Sequence, residues 1–422
     1  MRDPEPDRAI RAAFRLESPR LIATLTRIVR DVGVAEELAQ DALVAALEQW
    51  PATGVPDNPG AWLMAAAKNR AINAIRRRKM RHRKHEELGR EVDSVSDWAA
   101  ADLEASLDDD IGDDLLRLVF AACHPVLPPA ARVALTLRLL GGLTTDEIAR
   151  AFLVPEPTIA QRIVRAKRTL AEQNVPFEVP RGEELGPRLA SVLSVVYLVF
   201  NEGYVATSSD DVMRPELCED ALRLGRILAA LAPAEPEVLG LLALMELTAS
   251  RSVARATGSG EPVRLMEQNR GLWDRVQIER GLAALSRAEA LAAARGPYAL
   301  QAAIVACHAR ARKAEETDWA RIAALYAELG EVAPSPVVAL NRAVAVSMAE
   351  GAAAGLARVD ALREEPALAG YHLLPSARAE MLEKLGRMEE ARGEFERAAS
   401  LTRNARQRER LLGRAARCGR GA

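Results

Sequence analysis

Hydrophobic residues recur along most of the chain at the spacing of an amphipathic α-helix. The pattern covers residues 8–85, with turns at 31–33 and at the Pro- and Gly-rich stretch 51–60, and it resumes over 113–173. Over residues 185–415 the apolar faces become rich in alanine and are separated by proline-containing turns. The sequence therefore predicts an almost all-α protein.

Two segments without this periodicity divide the predicted helices into three groups. Residues 89–112 mix Gly, Ser and Asp with few large apolar groups, which is typical of a solvated acidic linker. The proline-rich stretch 175–182 marks a second boundary. We therefore predict helical domains over residues 8–88, 113–175 and 183–416.

The composition strengthens the helical prediction and adds a charge pattern. Hydrophobic residues make up 49% of the 422 residues but aromatic ones only 4%, a mixture that favours helices over sheets. The net charge of −2 conceals two local extremes. Residues 76–84 read RRRKMRHRK, whereas residues 91–110 contain eight acidic side chains and no Lys or Arg. Charged partners must therefore be sought locally.

The polar residues give no pattern of a catalytic or metal site. The four cysteines lie far apart without zinc-ligand spacing, and His124, His308 and His372 stand alone in the sequence. The sequence contains neither the apolar core of a signal peptide nor an uncharged apolar stretch of about 18 residues. We therefore expect no enzyme activity, no cofactor, no metal, no membrane association and a location in the reducing cytoplasm.

Residues 144–149, TTDEIA, look like the capped first helix of a helix-turn-helix. Either Thr can accept a backbone N–H, and the acidic pair suits the positive end of the helix dipole. The turn falls at 152–155, and Pro157 is tolerated because it lies in the first turn of the second helix.

The second helix carries a polar and basic face. Residues at i, i+3, i+4 and i+7 share a helical face and can enter one DNA groove. Base edges require side chains that donate or accept hydrogen bonds, while nearby Lys or Arg can anchor phosphates. A solvated basic face on an ordinary helix is the alternative. The candidate DNA contacts are Thr158, Gln161, Arg162, Arg165, Lys167 and Arg168.

The first predicted domain narrows this DNA-binding interpretation. Asp31, residues 35–42 and the Trp50-Pro51 pair resemble region 2.2 of extracytoplasmic-function (ECF) sigma factors, the helix that docks on the polymerase clamp. Residues 59–63, PGAWL, and 67–73, AKNRAIN, resemble regions 2.3 and 2.4, and a basic run follows them. The helix-turn-helix resembles region 4 of the same family.

The resemblance implies a sigma factor that directs core RNA polymerase to promoter DNA, with contacts to the beta-prime clamp and the beta flap. Pro157 and Ala160 depart from the usual recognition helix, which leaves the base contacts of that helix open. Glu37, Gln40 and Asp41 share one polar helical edge that could meet basic groups of the polymerase, with a solvated face as the alternative. The expected contacts to the −10 element are Asn69, Arg70, Asn73, Arg76, Arg77 and Arg78.

The third domain resembles the tetratricopeptide-like extension of one ECF subgroup. Gly386 is followed by Ala391, Phe395 and Ala398 in the tetratricopeptide pattern, and Gly351 precedes Gly386 at close to the repeat period. Generic Ala-rich helical hairpins are the alternative. Such arrays commonly present a concave surface to a partner, so we expect a regulatory domain that binds a regulatory protein or a segment of its own chain.

The segment 197–204, YLVFNEGY, looks like a signature at the beginning of that extension. Two interpretations of residues 201–203 stay open. They could form a ligand site, or they could end a helix at which Gly203 adopts a positive φ and the flanking aromatic residues pack underneath.

Two other functions compete with the sigma factor. A conventional helix-turn-helix transcription regulator with a helical sensing domain would explain residues 113–415 but leaves the first domain without a role. A tetratricopeptide scaffold with an incidental basic helix is the third interpretation.

Overall fold

The structure is a computed structural model, and it is α-helical throughout the part of the chain that it describes, where no β-strand occurs. This confirms the predicted all-α fold. No helix in that part is long and apolar enough to cross a membrane. The chain forms two compact units, Met1–Val199 and Phe200–Ala422. The described residues are 4–86, 111–152, 154–204, 215–255, 263–402 and 405–419.

Three helices pack together at the beginning of the first unit. Asp31 separates the first two, because its carboxylate accepts hydrogen bonds from the N–H groups of Gly33 at 2.7 Å and Val34 at 3.0 Å. The indole of Trp50 is 3% exposed and meets Trp62 edge to face, with ring centroids 5.2 Å apart. The three helices are α1 (Pro4–Val29), α2 (Val32–Thr53) and α3 (Pro59–Glu86).

Five further helices complete this unit. Their apolar side chains, including Leu118, Leu135 and Ile148, are fully buried. The last helix is joined to two others by Ser191, whose hydroxyl accepts a bond from Arg132 at 2.5 Å and donates to the carbonyl of Cys123 at 2.7 Å. The helices are α4 (Ile111–Ala122), α5 (Pro129–Leu139), α6 (Thr145–Phe152), α7 (Glu156–Glu172) and α8 (Leu185–Tyr204).

The second unit is built from helices that pack on their neighbours in sequence, as in a stack of helical hairpins. Several of these helices begin with proline in the first turn, where its missing N–H costs nothing. The helices are α9 (Pro215–Leu231), α10 (Pro236–Ala249), α11 (Arg275–Leu291), α12 (Pro297–Arg310), α13 (Trp319–Val332), α14 (Pro336–Ala349), α15 (Ala352–Asp360), α16 (Leu373–Lys384), α17 (Met388–Leu401) and α18 (Ala405–Cys418).

The residues of the tetratricopeptide pattern lie where that pattern requires. Gly351 and Gly386 have positive φ values of 103° and 76°, which glycine adopts without strain, and each directly precedes or lies near the start of a helix. Ala391, Phe395 and Ala398 are all 0% exposed within one apolar core. Ala391 and Phe395 therefore belong to the core on which the last helices pack.

Of the two interpretations of residues 201–203, the helix end at Gly203 is wrong in the φ value that it required. Helix α8 continues through Gly203 to Tyr204, and Gly203 is not among the glycines with positive φ. The predicted packing of the aromatic residues is confirmed, because Phe200 and Tyr204 are stacked with centroids 5.6 Å apart and are both buried.

Candidate DNA and polymerase interface

The helix-turn-helix is formed by α6 and α7. Thr144 and Glu147 form a reciprocal cap: the Thr144 N–H donates to the Glu147 carboxylate at 2.7 Å, and the Glu147 N–H donates to the Thr144 hydroxyl at 3.2 Å. The turn is closed by the Val154 N–H, which donates to the Ala149 carbonyl at 3.1 Å. The local sequence therefore fixes where α6 begins and how it leads to α7.

The apolar face of helix α7 packs into the core, so its polar face is exposed to solvent. The buried stripe contains Ile159 and Ile163, which are 0% and 5% exposed. The sequence pattern places Thr158, Gln161 and Arg165 away from that stripe, and all three are exposed. Arg162 lies at the edge of this face and is half-buried, so the structure brings the four predicted residues together.

Arg168 and Lys167 differ from these four because each pairs with a carboxylate. Arg168 is exposed, and its Nε lies 2.6 Å from Glu172 one turn later. Lys167 is half-buried on another side of α7, where its ammonium pairs with Glu36 of α2. In this arrangement the Lys167 side chain connects the recognition helix to the first three helices and is not part of the exposed face.

Glu36 is a residue that sequence reasoning missed. It is 4% exposed, and besides Lys167 it accepts a bond from Nε of Arg138 at 2.6 Å. Arg138 also donates to the Leu143 carbonyl at 3.1 Å. A signal was present, because Glu36 shares an apolar helical stripe with Ala39 and Leu43 and only a buried counter-charge makes a carboxylate acceptable there.

A second ion cluster also joins the two parts of this unit. Asp114 of α4 is 1% exposed and accepts bonds from Arg27 of α1 at 2.8 Å and from Arg117 at 2.7 Å. Burial raises the pKa of the Asp114 carboxyl, and the two arginines oppose that shift. The Glu36 cluster therefore joins α2 to α5 and α7, and the Asp114 cluster joins α1 to α4.

The polar edge of α2 is accessible. Glu37 and Asp41 are exposed and Gln40 is half-buried, while the opposite side of the helix packs into the core. Val44, one turn beyond Asp41, is 52% exposed. The edge therefore combines two carboxylates with an apolar side chain, a combination suited to a protein partner.

Helix α3 contains the residues predicted to contact the −10 element. Asn69 is exposed and Arg70 is half-buried. Residues 73 and 76–78 lie on the same helix, but their side chains fall outside the described residues. The predictions for Asn73, Arg76, Arg77 and Arg78 therefore rest on the sequence.

No cluster of three or more metal-ligating side chains occurs within the described ranges. Cys123, Cys218, Cys307 and Cys418 are buried and unpaired. Burial raises the pKa of Cys123 to about 11, so its thiol stays protonated at neutral pH. These side chains define no metal or redox site.

A helix-turn-helix with exposed polar and basic side chains, joined to a three-helix module with an acidic edge, is the architecture of a DNA-binding protein. Comparison with known families narrows the class of DNA-binding protein. Residues 13–81 match Sigma-70 region 2, and residues 117–170 match Sigma-70, region 4. Residues 188–289 match a family described as "Family of unknown function (DUF6596)".

Individual relatives agree with these matches. An uncharacterized protein of Rhizobium meliloti is 44% identical over 92% of this chain and 90% of its own. The ECF RNA polymerase sigma factor SigK of Mycobacterium ulcerans is 30% identical over 36% of this chain and 78% of its own. The probable ECF RNA polymerase sigma factor SigI of Mycobacterium tuberculosis is 28% identical over 40% of this chain and 57% of its own.

The chain belongs to the ECF sigma factors of the sigma-70 family. It serves promoter-directed transcription initiation, with core RNA polymerase and promoter DNA as its partners. The predicted family and function are confirmed. The particular residues that contact DNA and polymerase remain predictions.

Proposed function

We propose that the exposed face of α7 reads the upstream, −35 promoter element through Thr158, Gln161, Arg162 and Arg165. The supporting observation is that these side chains lie together beside a fully buried apolar stripe. Arginine can contact guanine edges with two hydrogen bonds in the major groove. Arg168 sits farther along α7 and serves the phosphate backbone.

Lys167 has a different position in this proposal. Its ammonium pairs with Glu36 of α2 in the structure, so a phosphate contact would use the N–H groups that this ion pair leaves available.

The test is footprinting and transcription with Arg162→Ala and Arg165→Ala. Removing an arginine that hydrogen-bonds a base edge costs about 1–3 kcal/mol and relaxes preference at one promoter position. Arg181→Ala is the control, since Arg181 is exposed outside the helix-turn-helix. Unchanged upstream protection and transcription for both α7 variants would show that the assigned face is wrong.

We propose that Glu37, Gln40 and Asp41 bind the beta-prime clamp of core polymerase, and that region 4 contacts the beta flap. The support for the clamp assignment is the exposed acidic edge of α2. The residues of α3, Asn69, Arg70, Asn73 and Arg76 to Arg78, are proposed to hold the −10 element and assist its opening, at which unstacked bases need polar and cationic partners.

Charge reversal at Glu37 and Asp41 tests the clamp assignment. The double variant Glu37→Lys/Asp41→Lys should weaken binding to core polymerase while leaving the helical circular dichroism spectrum intact. Asp57→Lys, in the exposed turn before α3, controls for the change in charge. Equal core affinity for the double variant and the wild-type chain would exclude this edge as the docking surface.

We propose that the second unit regulates the sigma activity. Its support is that residues 200–422 form a compact unit of their own, with a continuous apolar core near the end of the chain. This stack is not needed to build the α7 face or the α2 edge, both of which belong to the first unit. Stacked helices of this kind commonly bind a protein segment, so a regulatory protein is a proposed partner.

Truncation tests the regulatory proposal. Truncation after Glu178 would also remove Ser191, which bonds with Arg132 and Cys123 of the first unit. Truncation after Val199 preserves these contacts and should yield a folded first unit whose promoter-dependent transcription differs several-fold from that of the full chain. Identical transcription by the truncated and full-length proteins, in cells and with purified polymerase, would contradict the proposal that the second unit regulates sigma activity.

A further inference from the structure

Tyr204 lies at the end of α8, in the 197–204 segment to which the sigma function gives no role. The residue is 5% exposed, and within the described part of the chain its buried hydroxyl oxygen has no hydrogen-bond partner at standard geometry, although Arg251 lies close enough to oppose the rise in its pKa. Burial raises the pKa of the hydroxyl, which therefore remains protonated and able to donate. A buried polar group without a partner costs stability, so this hydroxyl requires an explanation.

Two arginines converge on the ring of Tyr204. The guanidinium carbon of Arg255 lies 3.9 Å from the ring centroid, and that of Arg251 lies 5.6 Å from it. A guanidinium N–H of Arg255 also donates to the Tyr204 carbonyl. Cation–π attraction favours both contacts, but it does not neutralise two positive charges on one ring.

Within the described part of the chain, no carboxylate pairs with these two charges. Among the described residues, neither Arg251 nor Arg255 forms an ion pair, and Nε of Arg251 is buried without a hydrogen-bond partner. Burial lowers the pKa of Arg255, and the positive charge of Arg251 lowers it further. Desolvated cations with no counter-charge cost free energy, which a bound anion would recover.

A third arginine, Arg270, and the buried His308 lie near Arg251. His308 is 9% exposed, and burial, followed by the charges of Arg251 and Arg270, lowers its pKa to about 4. The terminal nitrogens of Arg270 donate to the carbonyls of His308 and Ala311 and to the hydroxyl of Thr317, while its Nε is buried without a partner. These three acceptors give Arg270 a structural role, whereas among the described residues Arg255 donates to one carbonyl, that of Tyr204.

We propose that Arg251, Arg255 and Tyr204 bind a small oxyanion, a phosphate or carboxylate group, within the second unit. Planar guanidinium groups present paired N–H donors that match the oxygens of such anions, and the tyrosine hydroxyl supplies another donor. All three residues lie in the 188–289 segment that matches the family of unknown function. The site is independent of the assigned DNA and polymerase contacts.

Calorimetric titration of the full chain at constant ionic strength tests the site. The probes are inorganic phosphate, pyrophosphate and succinate, and added chloride controls for a general salt effect. We expect saturable binding of one anion per chain for at least one probe. Comparing the affinities for phosphate and pyrophosphate with the affinity for succinate shows whether the site prefers a phosphate or a carboxylate group.

Variants decide whether binding occurs at these residues. Arg251→Gln should weaken binding by about tenfold or more, because it removes one guanidinium. Tyr204→Phe should weaken it by a smaller factor. Arg280→Gln, an exposed arginine on α11, should bind like the wild-type chain.

Thermal unfolding keeps the test informative if a variant is destabilised. A ligand that binds only the folded state raises its midpoint temperature, so the effective anion should raise the midpoint of the wild-type and Arg280→Gln chains but not that of Arg251→Gln. The absence of saturable binding for all three probes would overturn the proposal. Equal binding by the wild-type and Arg251→Gln chains would do so as well.

Discussion

Glu36 is buried and the Arg251–Arg255 pair is half-buried, but among the described residues only Glu36 has carboxylate–cation partners. One carboxylate oxygen of Glu36 faces Arg138 and the other faces Lys167. No described carboxylate faces Arg251 or Arg255. Because removing a charge from water costs several kcal/mol unless it is paired, the first cluster is suited to holding a fold and the second to receiving an anion.

The largest effect should follow from breaking the compensated cluster. Glu36→Gln leaves Arg138 and Lys167 without their carboxylate, and we expect the free energy of unfolding of the first unit to fall by about 3 kcal/mol. Glu37→Gln, at the exposed neighbouring position, should change it by less than about 0.5 kcal/mol. Urea denaturation followed by circular dichroism measures both. Similar values for the two variants would contradict the structural role of Glu36.

The positive charges of Arg251 and Arg270 should oppose protonation of the neighbouring His308. The pKa of His308 is lowered from 6.5 to about 4, so between these values the unfolded chain binds a proton that the folded chain does not. Stability contributed by neutral His308 is present above pH 6.5 and is lost as the pH falls toward 4. Between pH 6.5 and pH 5 the loss should be about 2 kcal/mol.

Comparison with His308→Gln isolates this titration from that of the other acidic groups. The variant should lose less stability over the same pH interval, as measured by urea denaturation at a series of pH values. Parallel pH profiles for the two proteins would show that His308 does not experience the positive charge of Arg251 and Arg270.

A smaller effect should follow from removing one of two cations. Lys167→Met leaves Glu36 paired with Arg138, so the first unit should lose only about 1 kcal/mol of stability. Arg165→Met, on the exposed face of α7, should leave the stability nearly unchanged. If Lys167→Met matches Arg165→Met in unfolding free energy, the Lys167 ion pair contributes nothing to the fold.

The smallest effect, and one of opposite sign, should come from the arginine pair. In a buffer without phosphate or carboxylate, Arg251→Gln removes repulsion between two unpaired cations and should leave stability unchanged or raise it by up to about 0.5 kcal/mol. Chemical denaturation of the full chain measures this change. A loss as large as that expected for Glu36→Gln would show that the arginine pair is compensated within the fold.

Much of the architecture was accessible from the sequence because its signals are local. The apolar repeat of α7 defines the exposed face that holds Gln161 and Arg165, and the Thr144–Glu147 cap follows from a four-residue pattern. The burial of Phe395 likewise follows from a short tetratricopeptide pattern. In each case the interacting residues lie within one or two helical turns of each other.

The two charge clusters were not accessible because their partners are distant in the sequence. Arg138 lies 102 residues from Glu36, and no pattern within α2 indicates that partner. Arg251 and Arg255 are distant from Tyr204 in the sequence, and they lie just before and at the end of the short helical turn Ser252–Arg255, which has no apolar repeat.

Promoter-directed RNA synthesis depends on both DNA binding and polymerase binding, which are proposed for the α7 face and the α2 edge. The decisive measurement is in vitro transcription by purified bacterial core polymerase on a cognate promoter, with no sigma factor, with the full chain and with the Arg162→Ala/Arg165→Ala variant. A promoter-specific transcript should require the full chain and decrease strongly with the double variant. If the full chain does not direct specific transcription, the sigma function is contradicted. If the double variant is as active as the full chain, the assignment of promoter contacts to α7 is contradicted.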